Sequence, residues 1–191
     1  MGRVAMDVEP NSDTWLSARR NGIGASDLPV IIGISKWSQP RTLYHEKRGE
    51  LERSPETRPQ RMGKLLEPAA VQGFQEDMGI EVVQYPAPMF RRENRPRHMA
   101  TPDAMLASGD LLEAKTSSSF AETWAKPYDE VPDIYYVQAQ WQMYITETER
   151  VWFSLLMNGS ELHYMSVDRD DEGIDDLIIA ADAFLEMLDS G

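Results

Sequence analysis

The chain has 191 residues, 41% hydrophobic and 27% charged, a size and balance that suit one globular domain with a real core. No apolar run approaches the roughly 18 residues of a membrane span, no charged-then-apolar leader marks export, and the lack of cysteine excludes disulfides, cysteine-ligated zinc and iron–sulfur clusters, so a cytoplasmic protein is expected. The net charge of -13 argues against a generic nucleic-acid binder, but residues 1–100 hold 15 Lys+Arg against 13 Asp+Glu while residues 101–191 hold 4 against 19, so any phosphate-facing surface draws on the first half.

Residues 1–13 lack periodicity and read as a flexible arm. A short helix over 14–20, capped by Thr14, leads into the glycine-containing turn 21–27. Ser26 or Asp27 then caps a segment over 28–32. Residues 42–48 read as a turn or two of helix and 49–60 as a loop. A helix over 61–78 carries the apolar stripe Leu66, Ala70, Val71 and Phe74, with Pro68 in a first turn or at a kink. Strands are expected over 81–91, 97–106 and 110–116. A helix over 133–146 buries Ile134, Val137, Trp141 and Tyr144. A hairpin of 151–157 and 161–167 closes around Asn158-Gly159. The acidic block 168–176 reads as a solvated start to a last helix over 174–188, with Leu177, Ala181, Phe184 and Leu188 inward. This order predicts an α+β fold, a mixed central sheet flanked by helices, in a single domain.

One constellation carries chemistry. Asp103 stands in Thr101-Pro102-Asp103, and ten residues later comes Glu113-Ala114-Lys115. Side chains alternate along a strand, so Glu113 and Lys115 share a face. Asp103 joins them only if it pairs with Glu113, which places the hairpin loop at Ala107-Ser108-Gly109 with Gly109 in its left-handed position. A two-residue Ser108-Gly109 turn would put the two acids on opposite faces. The carboxylates of Asp103 and Glu113, with the carbonyl of Ala114, are hard ligands for Mg2+ or Mn2+, and Glu67 from the upstream helix could hold a second ion or a water. Lys115 could orient or help deprotonate that water. Glu-x-Lys alone is a common exposed pair, so the argument rests on the set. The three histidines show no metal-ligand spacing.

From about Trp15 to Tyr144 the chain resembles the YqaJ-type viral recombinase (lambda exonuclease) family. Trp15 to Ser26 is similar to that family's opening motif, Gly63 to Phe74 to its glutamate helix, Ala100 to Asp103 and Leu112 to Lys115 to its PD and ExK core, and Tyr136 to Met143 to its helix of alternating glutamines. The resemblance implies a restriction-endonuclease-like core and 5′-to-3′ digestion of linear double-stranded DNA that leaves 3′ overhangs for strand annealing. It implies two ions per site, a 5′-phosphate held by Arg19 and Ser26, a phosphate contact from Thr101, and Gln138 beside Lys115 and the cut phosphate. It also implies a homotrimer ring and a single-strand annealing protein as partner. The basic cluster Arg91, Arg92, Arg95, Arg97 and His98 either faces the duplex or is solvated. Alternatives are a structure-specific endonuclease on the same fold, a CRISPR adaptation nuclease, which the lack of cysteine disfavours, and a DNA-end-binding protein without catalysis, which the intact acids and lysine disfavour.

Overall fold

The computed structural model describes residues 2–9, 12–51, 55–118 and 123–191. In chain order the elements are β1 (Arg3–Met6), α1 (Asp13–Asn21), a 3-10 turn (Ala25–Asp27), α2 (Leu28–Ile31), α3 (Pro40–Lys47) and α4 (Arg58–Met78). Then come β2 (Val82–Gln84), β3 (Met89–Arg92), β4 (Met99–Ala100), β5 (Ala104–Leu106), β6 (Leu111–Ser117), α5 (Asp133–Thr146), β7 (Arg150–Met157), β8 (Glu161–Asp168) and α6 (Asp171–Ser190). The strands form a five-stranded mixed sheet of order β2-β5-β6-β7-β8 and a smaller sheet of order β1-β3-β4.

Alternation along β6 and β7 sets the layers. Leu111, Val151, Phe153, Leu155 and Met157 pack with Ala139 and Met143 of α5 on one face. Leu112 and Trp152 pack with Val71 and Phe74 of α4 on the other. Ser154 points to the α4 face and donates to Ala70 O at 2.7 Å, which ties the helix to the centre of the sheet. Strands β6 and β7 are parallel, with Leu111 opposite Val151, and α5 makes the crossover that a parallel pair requires. A further apolar cluster joins α2, α5 and α6 through Leu28, Trp141, Ile145, Leu177 and Phe184.

Helix α5 runs over the expected residues, but its last two turns are buried on every side, Gln140, Gln142 and Thr146 included. At the β7–β8 hairpin Asn158 and Gly159 both take positive φ, 53° and 76°, as a tight turn that matches strand twist demands. Asp170 caps α6, its carboxylate accepting from Gly173 N at 3.2 Å, and Asp171 and Glu172 fill the first turn, where the helix dipole favours them.

Four expectations need correction. The supposed arm contains β1, which pairs antiparallel with β3 from Arg3 opposite Arg92 to Met6 opposite Met89. Ser12, rather than Thr14, caps α1 by accepting from Trp15 N at 3.2 Å. The expected strands 81–91 and 97–106 are each broken and shared between the two sheets, at Pro86 and Pro88 and at Pro102, because proline has no N–H for a ladder. Helix α4 begins at Arg58 behind a Thr57–Gln60 capping box, which leaves Pro68 mid-helix rather than in a first turn. Among the described residues no helix is long and apolar enough to cross a membrane.

His98 joins the small sheet to α5 and α6. It is 1% exposed, its ring lies 4.9 Å from that of Trp141, and its Nε2 is 2.9 Å from Asp182 Oδ1. Burial pushes its pKa down to about 4 against the pull of Asp182, with Arg95 adding to the fall. A folded-state pKa below the unfolded value means that the unfolded chain binds the extra proton, so stability contributed by neutral His98 is lost as pH falls from about 6.5 toward 4. Urea unfolding at pH 7 and pH 5 is expected to show wild type losing about 1–2 kcal/mol more than His98→Gln over that interval.

Candidate active site

The β5–β6 hairpin adopts the register that puts the acids on one face. Ala104 pairs with Leu112 and Met105 with Leu111, which sets Asp103 opposite Glu113, and Gly109 takes φ +92° at the end of the loop. The ladder stops at Ala104. Beyond it β6 runs on without β5, and the Ala114 N–H that β5 would have bonded is instead taken by the Asp103 carboxylate at 2.8 Å. Asp103 thereby ends the hairpin and enters the cluster by one bond.

Glu113 is 4% exposed. Lys115 Nζ bonds its Oε2, and Gln142 Nε2 donates to its Oε1 at 2.6 Å. Glu67 arrives from α4, held by the Tyr85 hydroxyl, which donates to its Oε1 at 3.3 Å. Gly63, one turn earlier, lets α4 lie close to β6, since a Cβ there would stand 3.3 Å from Thr116 Oγ1. On α5 the Tyr135 ring lies 5.4 Å from Lys115 Nζ. Gln138 is half-buried between Tyr135 and Gln142 on one helix face, three residues after the first and four before the second.

The electrostatics follow from three carboxylates set against one lysine. Burial pushes the Asp103 pKa well above the usual carboxylate range; Glu113 and Glu67 add to the rise and Lys115 opposes it. Burial likewise raises Glu67, with Glu113 adding, against the Tyr85 hydrogen bond. Burial works against the Lys115 ammonium, but Glu113 and Asp103 outweigh it and the net shift is upward. The raised acids and the uncompensated negative charge are what a divalent cation would relieve, so the donor set fits Mg2+ or Mn2+ in chemical type. Among the described residues no three such side chains already converge as a cation cage. Their oxygens face protein donors instead: Ala114 N–H, Gln142, Lys115 and Tyr85.

The residues expected at a phosphate also meet. Arg19 Nη2 donates to Ser26 Oγ at 2.9 Å, and the Arg19 guanidinium lies 5.4 Å from the Trp15 ring. Gly24 makes room, since a Cβ there would come within 2.9 Å of Arg19 Nη1. The turn is stitched to β4 by Ile23 N to Arg97 O at 2.7 Å and Met99 N to Ile23 O at 3.0 Å. Thr101 and Asp103 follow β4 directly, and Thr101 Oγ1 is buried with no hydrogen bond to a described residue. The basic cluster is largely spent elsewhere: Arg92 pairs with Glu147, Arg95 with Asp182 and Arg97 with Asp189.

Sequence reasoning gave no site role to Gln142, Tyr135, Tyr85 or Lys47, and read Asp27 only as a helix cap. Spacing on α5 places Gln142 and Tyr135 on the Gln138 face, which was the available signal. Nothing local marks Tyr85 or Lys47. Lys47 Nζ, buried, donates to Arg19 O at 2.7 Å, Gly22 O at 2.6 Å and Asp27 Oδ2 at 2.7 Å. Asp27 Oδ2 also accepts from Gly24 N at 2.8 Å. This clamp closes the turn that carries Arg19 and Ser26. Asp27 ends below its usual value because Lys47 and Arg19 together outweigh burial, the largest single influence.

Three comparisons bear on this arrangement. The profile of the YqaJ-like viral recombinase domain matches residues 14–149. The uncharacterized protein YqaJ of Bacillus subtilis (strain 168) is 31% identical over 177 residues, which cover 90% of this chain and 54% of that protein, so the chain spans about half the length of the curated relative it matches. An alkaline exonuclease from Laribacter hongkongensis superposes with a TM-score of 0.75 at 20% identity, covering 94% of this chain and 93% of that one; the same enzyme has been crystallised with dAMP. A phage-related exonuclease from Haemophilus somnus 129PT superposes with a TM-score of 0.66 at 14% identity, covering 88% and 95%. At these identities the two superpositions establish a shared fold, which is the α+β core expected from the element order.

The clamp gives a direct test of how the phosphate turn is held. Lys47→Met keeps the side chain's length but leaves Asp27 buried and unpaired. Denaturant unfolding is expected to show a loss of about 3–5 kcal/mol, the cost of removing one partner of a buried ion pair. Asp27→Asn with Lys47→Met should recover part of it.

Proposed function

The chain belongs to the YqaJ-like viral recombinase family, and from that membership we propose that it is a metal-dependent deoxyribonuclease that digests linear double-stranded DNA from 5′-phosphorylated ends. The observation that carries the reading is Asp103, Glu113 and Lys115 gathered on one hairpin face with Glu67 brought in from α4. In this reading Asp103, Glu113, Glu67 and the Ala114 carbonyl hold Mg2+, with Mn2+ as substitute and two ions as the full complement. Bound there, the cation supplies a Lewis acid that makes a water nucleophilic near neutral pH and offsets charge on the scissile phosphate.

The chain's own residues do the rest. Lys115 orients the water or helps to deprotonate it, and offsets charge on the phosphate. Gln138 orients the phosphate from the α5 side. Water oxygen bonds to phosphorus, the bond to the 3′-oxygen of the terminal nucleotide breaks, and that oxygen leaves with a proton. A 5′-mononucleotide is released and the complementary strand remains as a 3′ overhang. Arg19 and Ser26, already bonded to one another, hold the 5′-phosphate as a guanidinium fork beside a hydroxyl, and Thr101 adds a second hydroxyl next to Asp103. A ring of three chains reconciles the acidic exterior with DNA inside, and a single-strand annealing protein would take the overhang.

With Mg2+, linear duplex bearing 5′-phosphates should be lost quickly, the same duplex with 5′-hydroxyl ends slowly, and a closed circle not at all. Arg19→Ala should slow only the first, bringing it down to the rate of the second. Cutting of the circle would favour an endonuclease, and no cutting with either Mg2+ or Mn2+ would end both enzyme readings. Lys115→Ala is expected to lower turnover by about 10²–10³-fold, the usual loss for one such donor, with duplex binding retained in a filter or anisotropy assay. Light scattering on the purified chain should give the mass of three copies; a monomer mass with intact nuclease activity would remove the ring from this account.

A further inference from the structure

Gln142 is a buried polar group on α5 that the functional reading leaves without a task. Its side chain is 3% exposed, yet it reaches Glu113 Oε1 at 2.6 Å through Nε2. The amide orientation is fixed by chemistry, because turning it over would set its oxygen against a carboxylate oxygen, acceptor to acceptor. The same orientation leaves Gln142 Oε1 buried with no hydrogen bond to a described residue, a cost that an apolar residue of equal size would avoid. Its backbone is pinned as well: Thr146 Oγ1 donates to Gln142 O at 2.7 Å and meets Thr148 Oγ1 at 3.0 Å.

We propose that Gln142 is a positioning residue that makes Glu113 a one-oxygen ligand: it holds Oε1 from the α5 side and so presents Oε2 alone to the bound divalent cation. The inference rests on the reading of Glu113 as a metal ligand. Oε2 is the oxygen that Lys115 Nζ bonds in this structure. Cation and lysine therefore compete for one oxygen, and Lys115 moves toward the phosphate when the cation arrives. Without Gln142 the Glu113 carboxylate turns about its terminal torsion, the two oxygens become equivalent, and the lysine retains one of them.

Hydrogen-bonding partners that orient metal ligands are typically worth 10–100-fold in affinity when removed. Calorimetric titration of Mn2+ into the DNA-free protein is the direct measurement. Gln142→Met, close in size and unable to donate, is expected to bind Mn2+ at least tenfold more weakly than wild type. Its affinity for duplex ends in EDTA should be unchanged, and turnover at sub-saturating Mn2+ should recover as Mn2+ is raised. A purely structural role would lower the melting temperature and leave Mn2+ affinity untouched, and that result overturns the proposal. Should Gln142→Met not fold, Gln142→Asn, one methylene too short to reach Glu113, is read in the same way. Wild type that fails to bind Mn2+ at all would count against Glu113 as a ligand and with it against this role for Gln142; wild type that binds, beside an equally tight variant, would count against Gln142 alone.

Discussion

The bond from Ala114 N–H to the Asp103 carboxylate is the contact on which the site depends. A strand that continues past its partner leaves backbone N–H groups that must find acceptors. Here the acceptor is a side chain from the neighbouring strand's own entry loop, 2.8 Å away. Where Pro102 breaks the β5–β6 ladder, that bond satisfies β6 and fixes Asp103 on the face that the hairpin register shares with Glu113 and Lys115. It also spends one Asp103 oxygen on the fold, which leaves the other for a ligand.

The same economy holds around the cluster. Glu113 is divided between α5 and β6, and Glu67 is held by Tyr85 from the turn after β2. Each acid is therefore held by protein donors, Asp103 by β6, Glu113 by β6 and α5, and Glu67 by Tyr85. Such an arrangement is poorly suited to stability, since burial raises Asp103 and Glu67 and like charges add to the effect. The proposed divalent cation would relieve that cost. The turn between α1 and α2 is held by the buried Lys47–Asp27 clamp behind it, and it meets the elements of the cluster through β4 and through α5, where Ile23, Ala25 and Leu28 pack near Trp141.

Charge patterning takes on a different meaning in three dimensions. The arginines at 92, 95 and 97 formed the densest basic stretch, yet they bond acids of the strongly negative second half. The two halves of the chain are thus partly complementary to each other.

Much of the site was legible because its parts are local. Ten residues between Asp103 and Glu113, with Gly109 where a left-handed residue is needed, admit one register for a shared face. Helix α5 was legible because its apolar spacing is regular. Arg19 and Ser26 were legible as a motif. What only the tertiary structure decided involves partners far apart in sequence. Strand β1 pairs with residues 89–92, and no pattern in three exposed residues and one half-buried one announces that. Lys47 reaches back 20 residues to Asp27, and Gln142 reaches Glu113 across the crossover that makes β6 and β7 parallel. Periodicity and turn chemistry report which face a side chain takes on its own element. Which other element covers that face depends on how the layers close, and Gln142, one turn beyond the glutamine that the motif singled out, met Glu113 only when they did.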